Sequence, residues 1–298
     1  MDDLSPQIKE KSLKLWTRDS YFLFSVFVLS VFVVMYFWWP LAKSYFWRMN
    51  LSGDLAINAD YLLLGIFAFM TFAMILRANI KRDILLVFVA AIGGLVIEAW
   101  GTQTNLWFYY TAERPPLWII PAWPIASLTI DRISRFFEYI YKSFFSNFDL
   151  RIFFKISYFS VFSFFLMLMI SFIDVSINKP LSIFALIFCV YLIFSPFKYR
   201  RTLFIFIAGA LLGCFLELWG TTRHCWTYYT LETPPLFAVL AHGMASVAFY
   251  RVQRMLFFNI KIWTKLRFLE GMPIHFIPVF MYLRIIGLLQ RFNLLAKI

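Results

Sequence analysis

Eight apolar stretches constrain the fold of this chain more than any other feature of its sequence. Each is roughly 16 to 22 residues long, and a helix of about 20 apolar residues spans the hydrocarbon core of a bilayer. The stretches are 21–42, 59–76, 84–102, 116–131, 152–173, 180–196, 202–220 and 235–250. Backbone groups in lipid must bond within their own segment, so we expect every stretch to be helical. The predicted fold class is all-α, a polytopic membrane protein with eight transmembrane helices.

The overall composition supports a membrane location. Only 15% of the residues are charged, whereas a soluble domain has about 25%. The first apolar stretch begins at Tyr21, after a charged N-terminal segment, and it is too long for the core of a cleaved signal peptide. We therefore expect it to remain as the first transmembrane helix. The three cysteines form no Cys-x-x-Cys pair, so they indicate neither a disulfide framework nor a zinc site.

The basic residues predict the orientation of the helices. A cytoplasmic N-terminus puts 23 of the 28 lysines and arginines in cytoplasmic segments. The positive-inside rule then predicts a multi-pass protein of the cell membrane with both termini in the cytoplasm. The net charge of +12 is explained by attraction to anionic membrane lipids, which we expect as partners. We do not expect nucleic acid as a partner, because no basic groove with interleaved aromatic residues is visible.

The chain also contains an internal repeat at a spacing of 119 residues. Glu98-Ala-Trp100-Gly101-Thr102 recurs as Glu217-Leu-Trp219-Gly220-Thr221, and the tyrosines and prolines that follow recur without a gap. We predict a cytoplasmic segment at 1–20, four-helix repeats at 21–139 and 140–258, and a tail at 259–298. Four spans per repeat give both copies the same orientation, related by an axis along the membrane normal. We expect the tail to be an interfacial amphipathic helix.

Each copy of the signature has one glutamate near the predicted extracytoplasmic end of a span. Ionisable side chains in a membrane tend to face the bundle interior or water. Glu98 and Glu217 are therefore candidates for a proton donor and acceptor pair, for anchors of a cation or polar head group, or for braces of the loops that follow them. The surrounding residues predict a pocket for an apolar ligand, although rings at this depth also form ordinary aromatic belts. These candidate substrate-binding residues are Trp100, Thr102, Trp107, Tyr109, Tyr110, Trp219, Thr221, Trp226, Tyr228 and Tyr229.

The two copies differ in their histidines. Asn105 of the first copy corresponds to His224 of the second, and Trp123 corresponds to His242. We therefore predict that Glu217, His224 and His242 form an acid–base cluster, which with Glu98 makes up the catalytic set. No Glu-x-x-His spacing is present, so we expect no metal. No nucleotide, haem or zinc motif is visible, and no cofactor is predicted.

The signature resembles that of the membrane-embedded carotenoid-biosynthesis family that includes the carotenoid 1,2-hydratases. The similarity covers about forty residues in each copy. The matching residues are Glu98, Gly101, Thr102, Thr104, Tyr109, Pro121 and Trp123 in the first copy, and Glu217, Gly220, Thr221 and Tyr228 in the second. The resemblance implies acid-catalysed addition to an isoprenoid double bond, with a glutamate as proton donor.

Three functions remain open from the sequence. The first is a membrane enzyme that acts on a lipid or isoprenoid, a hydrophobic small molecule, with Glu217 and Glu98 as acid–base groups. The second is a non-catalytic assembly or scaffold subunit, whose extracytoplasmic aromatic loops would bind membrane protein partners. The third is a small-solute transporter, because parallel duplication is common in transporters.

Overall fold

The computed structural model describes residues 15–49, 59–145, 147–196 and 198–270, and this part of the chain is mostly helical. Its helices and strands, in chain order, are α1 (Arg18–Phe37), α2 (Trp39–Arg48), α3 (Ala59–Ile75), α4 (Ile80–Thr104), β1 (Trp107–Tyr109), α5 (Ala122–Phe144), α6 (Arg151–Ile173), α7 (Pro180–Phe194), α8 (Tyr199–Thr222), β2 (Trp226–Tyr228) and α9 (Leu236–Glu270). Short 3₁₀ helices lie at Leu117–Ile119 and Asp174–Ser176.

Four of the described helices are long and apolar enough to cross a membrane. They are α1, α4, α6 with its following 3₁₀ turn, and α8. The helices α3 and α7 are also apolar but shorter. The prediction of a helical chain with membrane-spanning segments is confirmed at this level, and the apolar helices indicate a membrane protein.

Several predicted boundaries differ from the observed ones. The first predicted span, 21–42, is broken at Trp38, and α2 then begins with Pro40 in its first turn. Proline has no N–H to donate, so it is tolerated at a helix start and disrupts a helix interior. The stretch 235–250 is part of a longer helix, because α9 continues to Glu270. The predicted interfacial tail lies mostly at 271–298, outside the described residues.

The core between the helices combines aromatic rings with aliphatic side chains. The helix α5 packs against α3, α4 and α8, and α8 also packs against α6. Phe162 and Phe165 of α6 are almost fully buried and meet Phe206 of α8. Phe237, near the start of α9, stacks on Phe172 with ring centroids 4.3 Å apart. Between helices in lipid, close van der Waals packing of such side chains is a main favourable term, because lipid removes the hydrophobic driving force.

A buried charged network joins α4 to α5 at the N-terminal end of α4. The guanidinium of Arg132 donates to Asp83 Oδ1 at 3.0 Å and to Asp131 Oδ2 at 2.9 Å. Its Nε also donates to the carbonyl of Leu76, which follows α3. All three charged side chains are less than one-tenth exposed. A buried charge is tolerated only when it is paired and hydrogen-bonded, so this network fixes how α3, α4 and α5 meet.

We expect Asp83→Asn to destabilise the protein strongly. The substitution removes the carboxylate that faces Arg132 and leaves a buried guanidinium with one acid instead of two. Breaking a buried pair in this way costs about 3 kcal/mol. The matched control is Asp149→Asn, since Asp149 is 73% exposed and pairs only with the exposed Arg151 among the described ion pairs. The free energy of unfolding of the full chain in detergent measures both, and equal losses would contradict the account.

Candidate functional site

Glu98 lies in the last two turns of α4 with its carboxylate enclosed by aromatic donors. Trp107 Nε1 donates to Glu98 Oε2 at 3.1 Å, and Tyr109 OH donates to the same oxygen at 2.9 Å. The other oxygen, Oε1, accepts from Trp123 Nε1 at 3.2 Å. Glu98 is only 4% exposed. Both oxygens are therefore satisfied by side chains, which is what burial of a carboxyl group requires.

Glu217 occupies the corresponding position in α8 and is 3% exposed. Trp226 Nε1 donates to Glu217 Oε2 at 2.8 Å, and Tyr228 OH donates to Oε1 at 2.9 Å. The third partner is His242, whose Nε2 lies 2.9 Å from Oε1. We call each glutamate with its three ring partners a carboxylate cage. The third partner is an indole in the first cage and an imidazole in the second. The tyrosine shares its carboxylate oxygen with the loop tryptophan in the first cage and with the third partner in the second.

The same local turn folds each signature. Thr102 Oγ1 donates to the carbonyl of Glu98 at 2.6 Å, and Thr221 Oγ1 donates to that of Glu217 at 2.6 Å. The chain then leaves the helix through a left-handed residue, which is Asn105 in the first copy. Asparagine tolerates this conformation better than most residues. The turn points the following strand back along the helix, so its rings reach the glutamate about two helical turns before the turn residue.

Gly101 and Gly220 allow the tryptophans to approach. A Cβ atom on Gly101 would lie 1.9 Å from Trp107 Cη2, and one on Gly220 would lie 2.1 Å from Trp226 Cη2. Both distances are far inside van der Waals contact. The glycine of the Trp-Gly-Thr sequence is therefore needed because an indole ring lies directly against the helix backbone.

The strands β1 and β2 join the two cages. They pair antiparallel, with Trp107 opposite Tyr228 and Tyr109 opposite Trp226. The rings of each opposed pair lie 5.9 Å apart. Each donor to one glutamate is therefore packed against a donor to the other, and side-chain pairs of this kind stabilise a β ribbon. The two signatures form one structural unit.

The third partners also meet. The rings of Trp123 and His242 are stacked, with centroids 5.6 Å apart and planes inclined by 18°. Hydrogen bonds and one ring stack thus connect Glu98 to Glu217 through Trp123 and His242. The His242 side chain is 18% exposed, whereas that of Glu217 is 4% exposed. His242 is therefore the more accessible member of its pair.

The tyrosines of the two cages remain proton donors. Burial raises the pKa of Tyr109 and of Tyr228 well above the usual value of about 10, and the charge of the adjacent glutamate adds to this effect. Both phenols consequently keep their protons at neutral pH. Each glutamate therefore faces an O–H donor and an indole N–H donor.

The structure brings His242 to Glu217 but does not bring His224 there, although both were predicted in one cluster. His224 is exposed and has a φ of 54°, at the turn after α8. It takes the place of Asn105 in the first copy, which also has a positive φ. The physical reason is that this position turns the chain outward, so only His242 contacts Glu217.

The other predicted binding residues divide into two groups. Trp107, Tyr109, Trp226 and Tyr228 contact the carboxylates, and Thr102 and Thr221 bond to the helix backbone beside them. The remaining side chains lie elsewhere. Trp100 donates to Ser182 Oγ, Trp219 donates to Tyr45 OH, Tyr229 donates to the carbonyl of Phe172, and Tyr110 is 43% exposed.

Trp123 is the site residue that the sequence reasoning missed. It was compared with His242 as a difference between the copies, but it was not assigned to the site. The repeat could have indicated it. Trp123 corresponds to His242 at the spacing of 119 residues, so a prediction that His242 contacts Glu217 also predicts that Trp123 contacts Glu98.

Nothing in the described residues gathers three His, Cys, Asp or Glu side chains around a possible metal position. Comparisons with protein-family models, with curated proteins and with solved structures gave no match. The fold and the site define the protein as a helical membrane protein with two carboxylate cages.

We expect Gly220→Ala to destabilise the second cage. The added methyl group would overlap the Trp226 ring and displace its N–H from Glu217. Overpacking of this kind costs about 1–3 kcal/mol. Gly65→Ala is the matched control, since a Cβ at Gly65 of α3 meets nothing within 4 Å. Thermal unfolding followed by tryptophan fluorescence should show a loss for Gly220→Ala only, and an unchanged melting temperature in both variants would refute the close approach.

Proposed function

We propose that the chain is an eight-span membrane protein built from two parallel four-helix repeats, with both termini in the cytoplasm. Three observations support this topology. The helices α4 and α8 begin 119 residues apart, as do the strands β1 and β2. The shorter helices α3 and α7 precede them in corresponding places. The distribution of lysine and arginine favours the same orientation for every loop.

We further propose that the protein is an enzyme acting on a lipid or isoprenoid near the extracytoplasmic face. The observation that carries this proposal is the hydrogen bond of 2.9 Å between His242 and Glu217, where the first copy has Trp123 and Glu98. An indole N–H only donates, whereas an imidazole both donates and accepts a proton. The first cage is therefore suited to holding its carboxylate in place, and the second is suited to moving a proton.

The pair supports acid-catalysed addition of water to a double bond. The proton of Glu217 passes through His242 to one carbon, and water adds to the carbocation that forms at the neighbouring carbon. The added water loses a proton to His242, which returns it to Glu217, so the net change is the addition of one water molecule. General acid–base catalysis by a positioned pair is the physical basis of this step. The resemblance to the carotenoid 1,2-hydratase family favours the same reaction class.

The surroundings of His242 are suited to an unsaturated apolar chain. Trp123 stacks on the imidazole, and Phe249 meets Trp123 edge to face at 5.8 Å. Aromatic faces bind extended π systems and stabilise nearby positive charge, including a carbocation. The exposed part of His242 is the part of the cage that a substrate can approach.

A membrane assembly subunit is the second candidate function. Its supporting observation is the exposure of apolar side chains on the segments next to the ribbon. Phe108 of β1 is 46% exposed and Leu231, after β2, is 75% exposed. Exposed apolar groups outside a span are typical of a surface that binds another protein.

We expect Glu217→Gln to abolish activity while Glu98→Gln retains most of it. Glutamine has the size of glutamate but cannot donate a carboxylic proton, and loss of a general acid typically lowers the rate by about 10²-fold or more. The two variants are matched controls, since each alters one cage. The measurement is mass spectrometry of the isoprenoids and lipids that co-purify with each variant, with the ratio of hydrated to unhydrated species as the result.

The same experiment separates the two candidate functions. An isoprenoid that stays unhydrated in Glu217→Gln supports the enzyme. Well-folded protein without any specific lipid in the wild type and both variants would overturn the enzymatic proposal and favour the assembly subunit. A melting temperature measured for each variant shows whether a loss reflects chemistry or unfolding.

A further inference from the structure

A second polar cluster lies at the opposite end of α4 from Glu98. Asp83 is in the first turn of this helix, and fifteen residues of helix separate the two acids by about 22 Å. We call this group the arginine cluster. Its members are Asp83, Asp131, Arg82, Arg132, Arg135 and Arg201. Four guanidinium groups thus share two carboxylates.

Asp131 is the centre of the arginine cluster. Its Oδ1 lies 2.9 Å from Arg82 and 3.4 Å from Arg201, while Oδ2 lies 2.9 Å from Arg132 and also contacts Arg135. The two carboxylates of the cluster balance only two of its four positive charges. Glu138 is paired with Arg200, and the single charge of Asp19, which accepts from the amide of Ile80, still leaves the region positive.

The excess of positive charge arises from a difference between the two copies. At the spacing of 119 residues, Asp83 corresponds to Thr202 and Asp131 corresponds to Tyr250. The second copy has therefore lost both acids, although it keeps an arginine in the place of Arg82. That arginine, Arg201, reaches across to Asp131 and lies over the ring of Tyr250 at 5.6 Å. The missing negative charge is not replaced within the cluster.

Two buried polar atoms in this region lack a partner among the described residues. Thr202 is 1% exposed and its Oγ1 makes no hydrogen bond, and neither does the Nε of Arg135. The helix α8 begins beside Thr202, and no side chain caps its N-terminus. Free N–H groups and the helix dipole at such an end attract anions.

The cluster is also open to the outside. The Arg82 side chain is 46% exposed and that of Arg135 is 30% exposed, whereas the two acids are less than one-tenth exposed. An approaching anion therefore meets guanidinium groups before it meets carboxylates. Planar guanidinium groups match phosphate oxygens with two hydrogen bonds each.

We propose that the arginine cluster binds a phosphate-type anion, either the phosphodiester of an anionic lipid headgroup or a soluble phosphate. Arg82, Arg135 and Arg201 supply the charge. In the proposed orientation this end of α4 is cytoplasmic, where anionic headgroups concentrate. The site is separate from the carboxylate cages, so its test does not depend on the proposed reaction.

The test is anion binding by the purified full-length protein in detergent. Native mass spectrometry measures retained phosphatidylglycerol, with phosphatidylcholine as the neutral comparison and inorganic phosphate as a competitor. We expect Arg135→Gln, which removes one guanidinium group from the cluster, to weaken phosphatidylglycerol binding about tenfold, equivalent to about 1.4 kcal/mol. Thr202→Asp, which adds an acid next to Arg201 in the chain, should act in the same direction. Arg151→Gln is the control, because it removes one positive charge from a side chain that is 92% exposed and outside the cluster.

Each outcome has a defined meaning. Retention of phosphatidylglycerol that phosphate does not displace supports a lipid headgroup site, whereas binding of phosphate alone supports a soluble ligand. Equal binding of phosphatidylglycerol and phosphatidylcholine with no binding of phosphate, or equal losses in Arg135→Gln and Arg151→Gln, would overturn the proposal. Arg135 is 30% exposed, so Arg135→Gln changes the charge of the cluster without burying a new charge, and the melting temperature of each variant checks its fold.

Discussion

The bond between each buried glutamate and the rings of the loop that follows it is the interaction on which the rest of this structure depends. Glu98 binds Trp107 and Tyr109, and Glu217 binds their counterparts in the second copy. A carboxyl group in an apolar bundle must be satisfied, and these donors satisfy it from one short strand. Because the two strands then pair with each other, one requirement folds both loops and joins the two signatures.

The two cages differ in whether the third partner of the glutamate can accept a proton. The first cage ends in Trp123, which only donates a hydrogen bond, and the second ends in His242, which exchanges protons. Loop bracing and catalysis are therefore compatible, since the same geometry holds both carboxylates and one substitution changes the third partner. A similar difference occurs near the N-terminal ends of these helices, where Thr202 of α8 corresponds to Asp83 of α4. The two copies therefore share the backbone geometry of the signature and differ in the side chains at a few corresponding positions.

The repeat singled out the two glutamates and, as candidate substrate-binding residues, the four rings Trp107, Tyr109, Trp226 and Tyr228. It did not predict that these rings bond to the carboxylates themselves. It did not predict the ribbon, since three-residue strands such as Trp107–Tyr109 have too few residues to show an alternating pattern. His224 was assigned to the site by nearness in sequence, but a left-handed turn places it outside. His242 lies 25 residues after Glu217 and still reaches it, because α8 and α9 pack side by side there. Which histidine lies near Glu217 is decided by the turn after α8 and by the packing of α8 against α9. The spacing of residues along the chain does not determine either.

The most direct test of this account is His242→Trp, which converts the second cage into the first. Gly213 lies against His242 as Gly94 lies against Trp123, so the second cage has the glycine that accommodates an indole in the first. The account predicts a melting temperature within a few degrees of the wild type, together with loss of hydrated isoprenoid in the co-purified lipids. Unchanged hydration in a stable His242→Trp protein would contradict the assignment of proton transfer to the second cage. A large loss of stability would contradict the claim that the two cages are equivalent in structure.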